Sequence, residues 1–110
     1  MRVSGIASTP RPPYVAVIFT SVQTDDVDGY GDTADRMEVL AAAQPGYLGF
    51  ETARTAGGVG ISVSYWADAD AARSWKAVAE HAEAQRLGRD RWYSSYRVRV
   101  AVVERDYGTP

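Results

Sequence analysis

The order in which hydrophobic periodicity changes along the chain narrows its possible folds more than any other feature. The run Tyr14-Val15-Ala16-Val17-Ile18-Phe19 is β-branched and aromatic, and apolar at both parities, as expected of a strand buried on both faces. From Tyr30 the spacing becomes that of one helical face, Tyr30, Ala34, Met37 and Ala41 with Leu40 beside them. Gln44-Pro45-Gly46 predicts where that helix stops. Asp25, Asp26, Asp28 and Asp32 gather at its start, where negative charge complements the helix dipole. Tyr47 to Thr55 reads as a second strand, with Tyr47, Gly49 and Glu51 alternating against Leu48, Phe50 and Thr52. Ala56-Gly57-Gly58 predicts a tight hairpin turn, because paired glycines accept positive φ. Val59 to Trp66 then alternates cleanly, Ile61, Val63 and Tyr65 against Ser62, Ser64 and Trp66. Asp68 is placed to cap a second helix carrying Ala71, Ala72, Trp75 and Ala79, which runs, with room for a break, to about Trp92. The last strand, Tyr96 to Arg105, sets Tyr96, Val98, Val100 and Val102 against Arg97, Arg99, Ala101 and Val103.

The resulting order, β-α-β-β-α-β, predicts an α+β fold of ferredoxin-like architecture over residues 14–105. Residues 1–13, ending Thr9-Pro10-Arg11-Pro12-Pro13, are expected as a flexible extended arm, and 106–110 as a frayed tail. Two helices cover only one face of a four-stranded sheet, yet the first strand is apolar on both. A homodimer with the two sheets face to face is the expected solution. The alternative is a monomer whose Arg97, Arg99, Ser62 and Ser64 wet the uncovered face.

Composition removes several function classes. The chain of 110 residues has the length of one domain, and its 45% hydrophobic and 24% charged content is that of a globular protein. It has no cysteine and a single histidine, His81, which excludes thiol chemistry and any zinc site built on two or more imidazoles of one chain. A net charge of -2 and a third strand without a basic residue argue against nucleic-acid binding, although RNA-recognition domains share this element order. Gly57-Gly58-Val59-Gly60 is not followed by a helix, so it reads as a hairpin and not as a nucleotide loop. No segment approaches the roughly 20 apolar residues of a membrane span, and Met1 to Pro13 lacks the apolar core of a signal peptide. A soluble bacterial cytoplasmic protein is the expectation.

Several short runs carry a family likeness. Gln44-Pro45-Gly46-Tyr47-Leu48-Gly49, Ser62-Val63-Ser64-Tyr65-Trp66, Ser74-Trp75-Lys76, Ala79-Glu80-His81 and Arg89-Asp90-Arg91-Trp92-Tyr93 together resemble the antibiotic biosynthesis monooxygenase family, over about residues 13 to 105. The resemblance implies a dimeric α+β barrel of ferredoxin-like subunits. It also implies, for one branch, oxidation of an aromatic or quinol-type metabolite by molecular oxygen without metal or flavin. The pocket it implies lies between sheet and helices. Such chemistry needs a base, a dry cavity and a donor for the peroxide formed. His81 is the one side chain whose unperturbed pKa lies near neutrality, and is the candidate base. Trp66, Trp75, Tyr65 and Tyr93 are candidates to shape the cavity, and Arg91 or Arg97 to hold an oxyanion.

Each of these residues also has a purely structural reading. His81 can pair in solvent with Glu80 or Glu83, Trp75 fits the apolar stripe of its helix, and Trp66 can be ordinary packing. The arginines Arg86, Arg89, Arg91, Arg97 and Arg99 can clamp a ligand anion, or pair with the Asp25–Asp32 group or across a dimer. A second branch of the family degrades haem, using an Asn on the first strand, a Trp on the second helix and an axial His ten residues later. Trp75 matches, but the tenth position on is Gln85 and the chain has no Asn. His81 follows Trp75 by six residues, about 120° around a straight helix against roughly 80° for a spacing of ten. Haem breakdown is therefore disfavoured, while haem binding through His81 stays open. A non-catalytic barrel that binds a small aromatic ligand is the other alternative.

Overall fold

The computed structural model describes residues 5–23, 30–55, 58–85 and 93–109, with side chains left out at a few positions bordering the gaps. Six elements follow in the expected order: β1 (Tyr14–Gln23), α1 (Tyr30–Ala42), β2 (Tyr47–Arg54), β3 (Val59–Trp66), α2 (Ala69–Gln85) and β4 (Tyr93–Val103). The strands form one antiparallel sheet in the order β2-β3-β1-β4, and both helices pack on the same face. This is the ferredoxin-like α+β arrangement. Among the described residues no helix is long and apolar enough to cross a membrane.

Register assigns the paired strand residues to faces. Val15, Val17, Phe19 and Ser21 of β1 lie opposite Trp66, Ser64, Ser62 and Gly60 of β3. On the other side they lie opposite Val102, Val100, Val98 and Tyr96 of β4. Val15 and Trp66 join Ala41, Ala72 and Trp75 in the buried core, with Met37, Leu40, Ala71, Val78 and Ala79 packed around them, so this is the helix-covered face. The distal face carries Tyr14, Ala16, Ile18 and Thr20, flanked by Tyr65, Val63 and Ile61 on one side and Val103, Ala101, Arg99 and Arg97 on the other. Ser62 and Ser64 therefore do not share a face with Arg97 and Arg99, and the four cannot together wet one uncovered surface.

The local signals act as anticipated at the helix ends. Asp68 Oδ1 accepts from the Ala71 amide at 2.8 Å, an N-cap bond satisfying one orphan donor of α2. α1 closes with the Ala43 amide on the Leu40 carbonyl and the Gln44 amide on that of Ala41, after which Gly46 turns the chain at φ +83°. At Gly46 a Cβ would stand 2.6 Å from that of Ala71, so the turn also lets α2 approach.

Three strands differ from expectation. The register of β2 shifts between Tyr47 and Gly49, which sets Tyr47 opposite Trp66 on the helix-covered face, with Phe50 and Thr52, instead of beside Gly49 and Glu51. An irregularity of this kind re-aims a side chain without altering composition, so period-2 counting passes over it. β1 runs four residues further than the apolar run, and β4 covers Tyr93–Val103 instead of Tyr96–Arg105. The ladder begins at Tyr14↔Val103 because Pro12 and Pro13 have no amide to donate, and it ends at Gln23↔Tyr93 beyond a bulge. The Ala56-Gly57 part of the expected turn, and Asp25, Asp26 and Asp28, lie outside the described residues.

The segment Gly5–Pro13 lies against the distal face. The Ala7 amide donates to Glu51 Oε2 at 2.9 Å, and a Cβ at Gly49 would stand 2.9 Å from that of Ala7. Thr9 Oγ1 donates to the Tyr14 hydroxyl at 3.0 Å, which itself donates to Asp106 Oδ2 at 2.5 Å. Arm and tail thus meet at one corner of the sheet.

Candidate functional site

The helix-covered face changes character along its length. At one end it is solid. Trp66, 0% exposed, stacks on Trp75 of α2 with ring centroids 5.6 Å apart, and the Tyr47 ring meets it edge-on at 5.8 Å. The Trp66 indole Nε1 donates to Ser64 Oγ at 2.8 Å, so its buried N–H is satisfied within the sheet. Burial, and after it the Glu38 carboxylate, push the Tyr47 hydroxyl above its ordinary pKa and keep it protonated as a neutral donor at physiological pH. Glu38 belongs to α1 and is 4% exposed, so a carboxylate is buried beside the aromatic cluster.

Beyond the stack the face opens into a floor of half-buried Phe19, Phe50, Thr52 and Ser62 that runs out to Tyr96 and Val98, both exposed on β4. Thr52 Oγ1 and Ser62 Oγ share a hydrogen bond of 2.9 Å. The Phe19 and Tyr96 rings lie 5.6 Å apart and tilted. The far end is closed by Arg54, whose guanidinium lies over the bare backbone of Gly60 and donates to the Gly58 carbonyl at 2.9 Å and to Ser21 Oγ. Hydroxyl groups between aromatic walls, with a cation at the rim, suit a flat ligand bearing a few oxygen atoms. The strand residues of this face include no carboxylate and no imidazole. Among the described residues no cluster of acidic or histidine side chains gathers to hold a metal ion.

The candidate residues divide. Trp66 and Trp75 stand together on the helix-covered face. Tyr65 and Arg97 are on the distal face, across the sheet from both. There the Tyr65 hydroxyl donates to Glu51 Oε1 at 2.7 Å, and burial followed by that bond raises its pKa well above the ordinary tyrosine value. His81 lies on α2, which is continuous from Ala69 to Gln85, and Tyr93 opens β4; their side chains fall outside the described residues. Arg91 lies outside them altogether, with Arg86 and Arg89. Sequence reasoning missed Phe19, Phe50, Thr52, Arg54 and Glu38. Parity with Trp66 was enough to find the first three once the register of β2 is known; for Glu38, one acid among several on α1, no signal existed.

These elements define a small ferredoxin-like α+β subunit with aromatic and hydroxyl side chains on its helix-covered face. The chain belongs to the antibiotic biosynthesis monooxygenase family, whose model matches residues 13–87. It is 54% identical over 100 residues to the uncharacterized protein YqjZ of Bacillus subtilis (strain 168), covering 91% of this chain and 88% of that one. Its fold is similar to that of a variant of SnoaB, a cofactor-independent oxygenase from Streptomyces nogalater, with a TM-score of 0.67 at 18% identity over 84% of this chain and 95% of SnoaB. Rv0793 from Mycobacterium tuberculosis is similar at a TM-score of 0.65 and 18% identity, over 88% of this chain and 99% of that protein. At such identities the likeness establishes the fold.

Proposed function

We propose that this chain is a cofactor-independent monooxygenase that oxidises a small aromatic, quinol-type metabolite with molecular oxygen, and that it works as a homodimer. The observation that carries the reading is the half-buried floor of Phe19, Phe50, Thr52 and Ser62, edged by the exposed Tyr96, beside the Trp66–Trp75 stack, within a fold shared with an oxygenase of that kind. The rings hold a planar substrate, the hydroxyls orient its oxygen atoms, and the packed indoles exclude water from one side.

In this reading a base takes a proton from the substrate, and His81 on α2 is the proposed base. The anion passes one electron to oxygen and the two radicals recombine as a peroxide. Cleavage of the O–O bond leaves one oxygen atom as the new carbonyl and releases the other as water, so a CH2 group and O2 become C=O and H2O. Arg91 is proposed to hold the developing oxyanion, and the packed Trp66–Trp75 stack to back the floor from behind. Tyr65 and Arg97 stand across the sheet and belong to the dimer face in this scheme.

Oxygen uptake with anthrones and quinols, in the presence of a chelator, tests the activity. Uptake matched one to one by carbonyl product is expected; saturable binding of the same compounds without uptake would leave a non-catalytic binding barrel. His81→Ala is expected to abolish turnover while leaving the melting temperature within a few degrees, whereas a large loss of stability would assign His81 a structural role. A hemin titration of both proteins separates the haem reading, which requires a saturable Soret shift lost in His81→Ala.

A further inference from the structure

The arm and the tail are fixed to the distal face, yet each displays a large apolar residue to solvent. Ile6 is 92% exposed although its neighbour Ala7 is bonded to Glu51 and seated against Gly49. Tyr107 is 89% exposed although its neighbour Asp106 accepts from Tyr14. Thr9 Oγ1 also approaches Asp106 Oδ2 at 3.5 Å, so the two segments are joined to each other as well as to the sheet. Tyr14 is buried beneath them, its ring edge-on to Tyr65 at 5.7 Å. Anchored backbone with solvated apolar side chains is the anatomy of a docking element, because the ordering entropy is met before a partner arrives.

The face beside this corner is apolar and divided in charge. Ile18 and Val63 are half-buried and Ile61 is exposed, while Arg97 and Arg99 stand exposed on β4 at one edge and Glu51 lies on β2 at the other. A two-fold axis running along the strands lays β4 of one copy over β2 of the other. Opposite charges then meet twice, and the arm that rides on β2 meets β4 of the second copy. The other arrangement, with the axis across the strands, stacks the two arginine-bearing strands on each other.

We propose that Gly5–Pro13 and the segment around Tyr107 form a clasp that holds a second copy of this chain on the distal face, with Ile6 and Tyr107 as its contacts. The inference rests on the homodimer reading above and adds to it the elements that fasten the pair. It is read by sedimentation velocity of the full chain over a dilution series, comparing the native sequence with Ile6→Asp, Tyr107→Asp, the double variant, and Val39→Asp as a control. Val39 is an exposed apolar residue on α1, away from the distal face. Each clasp substitution is expected to raise the dimer dissociation constant at least tenfold, the double variant further, and Val39→Asp to leave it unchanged. A native chain that is monomeric throughout overturns the dimer and the clasp together. A native dimer whose dissociation constant is the same in the clasp variants, or shifts equally in Val39→Asp, overturns the clasp and leaves the dimer standing.

Discussion

Removing the Trp66 indole takes away one side of the Trp75 stack, the edge contact to Tyr47 and the donor on Ser64, in a place with no solvent to fill the gap. Trp66→Ala is therefore expected to cost about 3–5 kcal/mol in urea denaturation. Ser64→Ala, which leaves the indole N–H buried without its acceptor, is expected to cost about 1–3 kcal/mol. A loss below about 1 kcal/mol in Trp66→Ala would mean that the stack is open to water. The two distal-face phenols make a separate prediction. The bond to Asp106 raises the Tyr14 pKa, and burial with the bond to Glu51 raises that of Tyr65. Both hold their protons more tightly in the fold than in the unfolded chain, where the value is about 10. Their contribution is thus complete below about pH 10 and is lost as pH rises through the folded values. The urea midpoint is expected to fall above about pH 10, and to fall less steeply in Tyr65→Phe; an identical slope in that variant would remove Tyr65 as a source.

At the scale of elements, the helix signals were the most legible part of the sequence. Asp68 and Gly46 act through contacts a few residues away, so a local pattern carries them. Asp68→Ala is accordingly expected to cost about 1 kcal/mol and to fray the first turn of α2, read as lost amide protection at Asp70 and Ala71; unchanged protection would show that packing alone holds that end. What the sequence concealed is non-local. The turn of Tyr47 toward Trp66 depends on a register shift visible only against β3. The seating of the arm is of this kind, since nothing near Ala7 announces a partner 44 positions away on β2. The same limit applied to the site. Trp66 stood out as an aromatic beside small polar residues and Trp75 on the apolar stripe of its helix, while Tyr65 was grouped with them although strict alternation sends it through the sheet. The Thr52–Ser62 pair joins two strands, so it emerges only when their register is known.

Across the whole molecule, the two faces of the sheet pose different problems. α1 and α2 close over β1, β2 and β3, which explains why Val15, Trp66 and Ala72 are buried in a single copy. The distal face has no such layer. Ile61 and Ala101 are exposed there, and Ile18 and Val63 half-covered, a composition that water alone does not favour. Burying it against a second copy removes apolar area that would otherwise stay solvated, at about 25 cal/mol per Å2 before the cost of association. A folded state stabilised in this way must respond to protein concentration, because dilution releases the partner. The native chain is therefore expected to run near 24 kDa, twice its 12.0 kDa, and its melting temperature to rise with concentration. A 12 kDa species that melts at one temperature over a hundredfold dilution would sink the dimer. Coupling to the helix-covered face adds a further expectation. β1 contributes residues to both faces, Val17 and Phe19 to one and Ile18 and Thr20 to the other, so fixing one side restrains the floor on the opposite side. Ligand affinity at the floor should accordingly fall on dilution below the dimer dissociation constant, and an affinity independent of assembly would show that each subunit holds its ligand alone.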